Sequence, residues 1–347
     1  MQRRYYENYT EAEAGSTMTE VHIDHTVKSK SLNIRLDKYL RAIGVRLSRS
    51  RISKIIRDGK VTVNGIVRKP SYLIKTDDRV IVDYKKLDRK DIKPQDIPID
   101  VIYEDEDIIV VNKDRDMVVH PARGNRDGTM VNALLHHSVI KGGEKFRPGV
   151  VHRLDKDTTG VMVFAKNEQS HAGLGYQIEK RKVDKIYIAI VWGNLMRNIG
   201  TIEKPLGKMP SNRKLMAVTP VNSKHAVTHY RVIERMLLAT MLRIKLETGR
   251  THQIRVHLSH SGHPVIGDDY YSRNARGTVK TLPVDIKKHY EYIDNLMERQ
   301  ALHAASLSFR HPVTKEKMSF YAPLPRDMIE LIEELRIIKD NYETDNS

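Results

Sequence analysis

The sequence predicts an α+β protein in two parts: a small basic domain of two helices and a hairpin, then a larger domain on a largely antiparallel, mixed sheet. Positive charge is concentrated near the front, since residues 31–90 carry a net charge of +11 and the whole chain carries +16. After residue 99 most apolar segments alternate with the two-residue period of strands, and few helical segments separate them. The two parts are joined by KKLDRKDIKPQDIP, a charged stretch with almost no apolar residues.

Length and composition limit the function. The 347 residues fit two domains, at about 150 residues per domain. The absence of cysteine excludes disulfides, thiolate metal sites and a cysteine nucleophile. The excess of positive charge favours a polyanionic partner, most often a nucleic acid. No apolar run approaches the roughly 20 residues that span a bilayer, so we expect a soluble, cytoplasmic protein.

The basic domain is predicted over residues 31–84. One helix has apolar residues at helical spacing from Leu36 to Ile43 and ends near Gly44; a second begins at Ser48 or Ser50 and ends near Gly59. Positive side chains lie along both helices, at Arg35, Arg41, Arg46, Arg49, Arg51, Lys54 and Arg57. A charge run is usually only a solvated helix face, but the acids here are too few to neutralise these residues. We therefore predict that they contact the phosphates of a nucleic acid.

Short strands complete this domain. The segments 61–63 and 66–67 flank Asn64-Gly65, a strong hairpin signal, and residues 80–84 form a further strand. The polar residues 1–30 have no clear period and predict a mobile tail. Residues 85–98 predict a linker.

The second domain is predicted over residues 99–340. Strands are expected at both sides of the acidic turn within 101–113, and at 161–165, 185–192, 227–234, 240–246 and 302–309. Helices are expected at 169–182, around 250–260, and at 326–339.

The stretch HRLDKDTTG, residues 152–160, places a charged group between two apolar runs. Taken alone, Asp155 would be a turn acid. The order Asp155, Asp157, Thr159 also fits the D-x-D-x-T pattern of haloacid-dehalogenase-type phosphatases, and Gly267-Asp268-Asp269 resembles their later magnesium-binding acids. Against this reading, those enzymes place the first aspartate directly after a parallel strand of a doubly wound fold, and alternating strand and helix units are missing here.

A group of histidines, His257, His260 and His263, raises the question of a metal site. Gly262 and Pro264 would break the helix needed to align all of them, and no thiolate or H-E-x-x-H pairing is present. Hydrogen bonds to the backbone, or contacts with RNA, are the expected use of these rings. We predict no metal site.

Taken together, the motifs resemble two known families. The pattern RLDKYL…SRSRISKIIRDGKVTVNG, within residues 33–83, resembles the RNA-binding module named after small-subunit ribosomal protein S4. HRLDKDTTG, the strand tyrosine Tyr187, GRTHQIRVH at 249–257 and LHA at 302–304 resemble the RluA/RluD-type pseudouridine synthases, in the RluD-like branch with an S4-type domain at the front. The likeness covers about residues 33–325 and leaves out residues 277–299.

The resemblance implies the pseudouridine synthase fold and a reaction that breaks the bond between a uridine ring nitrogen and the sugar, rotates the uracil and rejoins it through a ring carbon. This isomerisation consumes nothing, so it implies no cofactor. Asp155 would be the catalytic carboxylate, as a nucleophile or as a base, with Arg255 as its partner and Tyr187 beside the flipped uracil. Substrate contacts would come from His152, Arg153, Arg250 and Leu302, although ordinary core packing also accounts for Leu302.

We therefore expect an RNA pseudouridine synthase whose partner is RNA, chiefly large-subunit ribosomal RNA, with transfer RNA left open. A non-catalytic RNA-binding or ribosome-assembly protein would explain the charge but not the two motifs together. A magnesium-dependent phosphatase is the remaining alternative.

Overall fold

The computed structural model describes residues 5–12, 16–28, 34–45, 47, 49–87, 92–122, 124–144, 147–213, 215–272 and 284–345. The chain divides into two compact units, Met1–Asp91 and Ile92–Ser347. The division falls inside the predicted linker. Its second half is tied to the second unit, because the Asn132 side chain donates to the Lys93 carbonyl at 2.8 Å and the Gln95 N–H donates to the Asn132 carbonyl at 3.0 Å.

The first unit contains the two predicted helices and a four-stranded sheet in the order β1-β2-β4-β3. The helices are α1 (Leu36–Ala42) and α2 (Arg49–Arg57), and the strands are β1 (Tyr5–Ala12), β2 (Ser16–Thr26), β3 (Val61–Val63) and β4 (Arg79–Leu87). Apolar residues of both helices, such as Leu40 and Ile56, are fully buried against Val61 and Val82 of the sheet. The helix spacing read from the sequence therefore matches the buried face.

Two predictions for this unit were wrong. Residues predicted as part of a tail form β1 and β2, and β2 pairs with β4 along its whole length, from Met18 opposite Leu87 to Thr26 opposite Arg79. Val21 and Ile23 alternate inward and are buried, a two-residue period that the polar composition masked. The predicted strand after Asn64-Gly65 is reduced to one bridge, between Val63 and Ile66, because β3 pairs with β4 instead.

The second unit is built on a nine-stranded sheet in the order β11-β14-β15-β10-β16-β9-β6-β5, with β17 paired to β16. Its strands are β5 (Asp100–Glu104), β6 (Ile108–Lys113), β9 (Thr159–Ala165), β10 (Asp184–Trp192), β11 (Ile199–Glu203), β14 (Val227–Arg235), β15 (Ala239–Leu246), β16 (Leu302–Arg310) and β17 (Lys317–Tyr321). Two small hairpins stand outside it, formed by β7 (Gly143–Glu144) with β8 (Arg147–Pro148) and by β12 (Leu206–Lys208) with β13 (Met216–Val218). All pairs in the large sheet are antiparallel except β9 with β16, so the predicted fold class is confirmed.

The helices of this unit are α3 (Met130–His137), α4 (Glu168–Glu179), α5 (Gln253–His260), α6 (Val284–Leu296) and α7 (Arg326–Asp345). Those at α4, α5 and α7 were predicted. α3 and α6 were not, because α3 is short and α6 lies in the stretch that the sequence motifs leave out. Within the described residues, no helix has both the length and the apolar character needed to cross a membrane.

The parallel contact between β9 and β16 determines where the HRLD stretch lies. Thr159 and Gly160, which follow that stretch, pair with His303 and Ala304. A side chain at Gly160 would lie 2.3 Å from the Ala304 carbonyl oxygen, and the residue has φ +114°, so glycine is required at this close approach. The HRLD stretch therefore lies as a loop directly before β9, a strand in the interior of the sheet.

Candidate active site

Asp155 and Arg255 meet although 100 positions separate them in the chain. Nη1 of Arg255 donates to Oδ2 of Asp155 at 3.1 Å. The Asp155 side chain is 17% exposed and that of Arg255 is 5% exposed, so the carboxylate is open to a ligand from one side while its partner is buried. The sequence analysis paired these residues, and the structure brings them together.

Asp268 holds Arg255 in place. Nε and Nη2 of Arg255 donate to the two carboxylate oxygens of Asp268 at 2.7 and 2.8 Å, and the Asp268 side chain is fully buried. Burial opposes the charged form of Arg255, but the hydrogen bonds and charge of Asp268, together with Asp155, outweigh it and raise the pKa of the guanidinium. Arg255 therefore presents a permanent positive charge, in a fixed orientation, to Asp155.

Lys113 supports the loop that carries Asp155. Its side chain is fully buried at the end of β6, and Nζ donates to the carbonyls of Asp114, Met117 and Lys156 at 2.7, 2.9 and 2.7 Å. Burial lowers the pKa of Lys113 to about 7, against the nearby charge of Asp157. The ammonium group offers a donor to each carbonyl, which fixes the backbone on the C-terminal side of Asp155.

Arg299 and Gln300 hold the same loop from another side. Nη1 of Arg299 donates to the Asp157 carbonyl at 3.1 Å, while its Nε and Nη2 pair with Asp327 at the start of α7. The Gln300 amide donates to Oγ1 of Thr158 at 3.1 Å. The sequence analysis did not select Arg299, Gln300 or Lys113. Lys113 could have been found, because a lysine at the end of an apolar strand is unusual.

Tyr187 of β10 and Leu302 of β16 lie on two paired strands of the large sheet. Tyr187 is 7% exposed and Leu302 is 4% exposed, and both pack in one core cluster with Leu154. Burial, reinforced by the charge of Asp155, raises the pKa of Tyr187. Its hydroxyl is therefore protonated near physiological pH, so it can donate a hydrogen bond but does not act as a base.

The other predicted contact residues are Arg153, His152 and Arg250. Arg153 is exposed on the loop two residues before Asp155. Nε2 of His152 accepts from the Val163 N–H of β9 at 3.1 Å, and burial together with the charge of Lys185 lowers the pKa of its ring. Arg250 donates to the His225 carbonyl at 3.2 Å. His152 thus anchors the start of the loop as a neutral ring.

Two of the three histidines, His257 and His263, form the predicted hydrogen bonds to the backbone. His257 contacts Oγ1 of Thr228 at 2.9 Å and the Lys204 carbonyl at 3.0 Å, and Nδ1 of His263 lies 3.0 Å from the Trp192 carbonyl. The phosphatase alternative loses its second acidic site, because Asp268 is occupied by Arg255. The largely antiparallel sheet also differs from the fold that alternative requires.

Among the described residues, one group has metal-ligand spacing, namely Asp105, Asp107 and His311. Nδ1 of His311 accepts from the N–H groups of Val313 and Thr314 at 3.3 and 3.0 Å, so the ring hydrogen resides on Nε2. Nε2 lies 3.1 Å from Oδ2 of Asp105, although the atoms are not aligned as in a regular hydrogen bond. Because Nε2 of His311 carries the hydrogen, it has no free lone pair to bind a metal ion. The attraction between this N–H and the Asp105 carboxylate explains their contact.

In the first unit, two of the predicted RNA-binding arginines lie next to a buried acid, Asp37. Asp37 is 2% exposed and accepts from Nε and Nη2 of Arg35 at 3.0 and 2.9 Å, and Nε of Arg49 lies 3.8 Å away. Lys54 lies 4.0 Å from Asp58. The remaining predicted positions are exposed at Arg41, Arg51 and Arg57, whereas Arg46 lies outside the described residues.

A basic cleft of about 590 Å³ opens beside these helices; it is lined by Arg35, Arg57, Val67, Arg68, Lys69, Pro70 and Ser71. Arg68 stacks over the Tyr72 ring with its guanidinium carbon 5.1 Å from the ring centre. Its Nε is buried and has no hydrogen-bond partner among the described residues. Arg68 and Lys69 follow the hairpin rather than lie on a helix, and the sequence analysis did not select them.

Two family models match this chain: RNA pseudouridylate synthase over residues 107–260, and the S4 domain over residues 34–80. A protein of Vibrio parahaemolyticus named ribosomal large subunit pseudouridine synthase D is 43% identical over 93% of this chain and 97% of its own length. A protein of the same name from Escherichia coli K12 is 42% identical over 91% of this chain and 95% of its own. The solved structure of human RNA pseudouridylate synthase domain containing 4 is 27% identical, covers 68% of this chain and 93% of its own, and superimposes with a TM-score of 0.53.

The fold and these matches define an RNA-modifying isomerase. The chain belongs to the RNA pseudouridine synthase family and carries an S4 domain in front of the synthase domain.

Proposed function

We propose that this protein converts specific uridines of large-subunit ribosomal RNA to pseudouridine in the cytoplasm, with Asp155 as the reacting carboxylate. The observation that carries this proposal is the arrangement of Asp155, partly open to a ligand, against Arg255, whose other donors are occupied by buried Asp268. The choice of RNA follows the relatives from Vibrio parahaemolyticus and Escherichia coli, whose names give the large ribosomal subunit.

The reaction balances within the substrate. The bond between N1 of uracil and C1′ of ribose breaks, the base rotates, and C5 bonds to C1′. The hydrogen that leaves C5 is matched by one gained at N1, so no redox partner or nucleotide is required. The protein has to cleave the first bond, keep the free base in place and move that proton.

Asp155 supports the first of these tasks in either of two ways. It can attack the sugar or the ring as a nucleophile, or it can remove a sugar proton as a base. Both routes start from an ionised carboxylate held in a fixed position. Arg255 supplies the fixed position, because Asp268 holds the guanidinium that bonds Asp155.

The uridine reaches Asp155 only after leaving the RNA stack, which costs a few kcal/mol. Arg153, exposed beside Asp155, is placed to stabilise the vacated stack. Tyr187 and Leu302 provide a buried floor for the uracil, and the neutral Tyr187 hydroxyl can donate a hydrogen bond to it. We assign His152 and Arg250 to supporting the loop and the start of α5.

The first unit adds affinity through phosphate contacts. Its basic cleft concentrates positive charge in a concave surface, which suits the RNA backbone. Because double-stranded RNA is recognised mainly by shape and backbone contacts, the unit contributes binding and choice of target rather than chemistry.

The decisive experiment incubates unmodified large-subunit ribosomal RNA with the full-length protein and measures pseudouridine after digestion to nucleosides. We expect conversion by the wild type and none by Asp155→Asn, with RNA binding retained. The matched control is Asp157→Asn, two residues along the same loop, which should keep appreciable activity because the loop uses the Asp157 backbone carbonyl. Binding without conversion by the wild type would favour the non-catalytic assembly protein. Full activity of Asp155→Asn would overturn the role given to that residue.

A further inference from the structure

His252 occupies the side of Asp155 that Arg255 leaves open. Its Nε2 lies 3.9 Å from Oδ1 of Asp155, whereas Arg255 contacts Oδ2. The His252 side chain is 19% exposed, so it borders the same opening as the carboxylate. His252 lies within the GRTHQIRVH motif at residues 249–257, three positions before Arg255.

The other ring nitrogen is fixed by Tyr271. Nδ1 of His252 lies 2.8 Å from the Tyr271 hydroxyl, and that hydroxyl also accepts from the Met216 N–H at 3.0 Å. Having accepted one hydrogen bond, the hydroxyl has its own hydrogen to donate, and Nδ1 is the acceptor beside it. When the hydroxyl donates to Nδ1, the hydrogen of the neutral ring resides on Nε2, the atom that faces Asp155.

The backbone conformation of His252 also helps to position its ring. His252 precedes α5 with φ 54° and ψ 23°, in the left-handed region that few residues with a side chain adopt. This conformation sets the ring between Tyr271 and Asp155 at the start of the helix that carries Arg255. The two donors facing Asp155 thus come from one short segment.

The charge state favours a neutral donor. Burial lowers the pKa of His252; Asp155 and Asp268 oppose this shift, and Arg255 and Arg153 reinforce it. A neutral ring at pH 7 gives a hydrogen bond without competing with Arg255 as a counter-charge.

We propose that His252 is a positioning residue: its Nε2–H donates a hydrogen bond to Oδ1 of Asp155 when bound RNA excludes water, so that each carboxylate oxygen has one donor. The inference rests on the function proposed above for Asp155. The separation of 3.9 Å is compatible with it, because catalytic hydrogen bonds commonly shorten when the substrate binds.

Three substitutions test this role. In His252→Gln the amide nitrogen stands near the position of Nε2; in His252→Asn it stands near Nδ1; His252→Leu has no donor. We expect His252→Leu and His252→Asn to lower the single-turnover rate by roughly 10- to 100-fold, the effect of one hydrogen bond to a charged group. His252→Gln should stay within a few-fold of the wild type, and the dissociation constant for RNA should change little in all three.

The comparison separates positioning from structural support. Asparagine tolerates the left-handed conformation better than most residues, so a slow His252→Asn cannot be ascribed to the backbone. Thermal unfolding and the exposed His260→Gln on the same helix serve as controls. Equal loss in all three variants, or a faster Asn than Gln, would overturn the inference.

The experiment also distinguishes this inference from the function on which it rests. If Asp155→Asn is inactive and His252→Leu turns over at the wild-type rate, only the inference fails. If Asp155→Asn keeps the wild-type rate, the role of Asp155 and the inference both fail.

Discussion

Arg255 bonds two carboxylates at once: Nε and Nη2 pair with buried Asp268 at 2.7 and 2.8 Å, and Nη1 reaches Asp155 at 3.1 Å. The two acids are not equivalent, because Asp268 is fully buried and Asp155 is partly exposed. Asp268 therefore determines the orientation of the guanidinium, and Asp155 receives the remaining donor on the side that a substrate can reach.

Replacing Asp268 should disable the site without touching its reacting groups. In Asp268→Asn the amide cannot accept from both Nε and Nη2, and the buried charge of Arg255 loses its main partner. We expect the single-turnover rate to fall about 100-fold or more, as displacements near 1 Å do, and the free energy of unfolding to fall by about 3 kcal/mol. Rate and urea unfolding are measured on the same samples. Exposed Asp269→Asn is the control, and a wild-type rate in Asp268→Asn would contradict this account.

Lys113→Met should destabilise the protein. The substitution fills the space of the side chain but leaves three buried carbonyls without their donor. At about 1–3 kcal/mol for each unsatisfied group, the free energy of unfolding should fall by about 3 kcal/mol or more. Urea unfolding at pH 9 measures the loss, because below the pKa of about 7 the folded protein bears the cost of a buried charge that methionine removes. Lys156→Met, at an exposed lysine on the same loop, should cost far less; an equal cost would show that the carbonyls matter little.

His120 should make stability fall in acid. Burial, together with the charges of Arg147 and Arg153, lowers its pKa to about 4 from 6.5. As the pH falls below 6.5, the unfolded chain takes up a proton here, but the folded protein does so only near pH 4. The titration of His120 therefore leaves the free energy of unfolding unchanged above pH 6.5 and lowers it as the pH falls from 6.5 to 4.

Substitution isolates this effect from other titrating groups. The advantage of the wild type over His120→Gln in free energy of unfolding should shrink from pH 7 to pH 4, as measured by urea titration. The same comparison with exposed His260→Gln should show a much smaller change. A difference that does not depend on pH would refute the prediction.

The basic cleft should govern the salt dependence of RNA binding. Replacing Arg57, Arg68 and Lys69 together with glutamine removes up to three phosphate contacts. At about 0.7 per contact for single strands, the slope of log affinity against log salt should become shallower by about 2. The rate with saturating RNA should stay near that of the wild type, because these residues lie in the first unit.

A second triple variant, which removes the same number of positive charges from the other unit, provides the control. Lys287→Gln, Lys288→Gln and Arg326→Gln remove three exposed charges from helices of the second unit. Equal changes of slope in the two variants would mean that net charge, rather than the cleft, determines binding.

The sequence by itself determined the local elements and the central pair of the candidate site. Helical spacing placed α1 and α2, the two-residue period placed the main strands, and motif resemblance selected Asp155 with Arg255. These signals are local, since each depends on residues within one element or one motif. The same approach missed β1 and β2, because their apolar residues are sparse among polar ones and are buried only once β2 pairs with β4.

Only the tertiary structure decided which side chains support the site. In the sequence, Asp268 shows only a likeness to the magnesium-binding acids of the phosphatase alternative, and its pairing with Arg255 depends on the turn after α5. Lys113 reaches the loop of Asp155 because β6 pairs with β9, and Tyr271 fixes His252 from beyond the same helix. A polar residue in a sequence does not reveal its partner, because burial and hydrogen bonding are set by strand register and helix packing between distant segments.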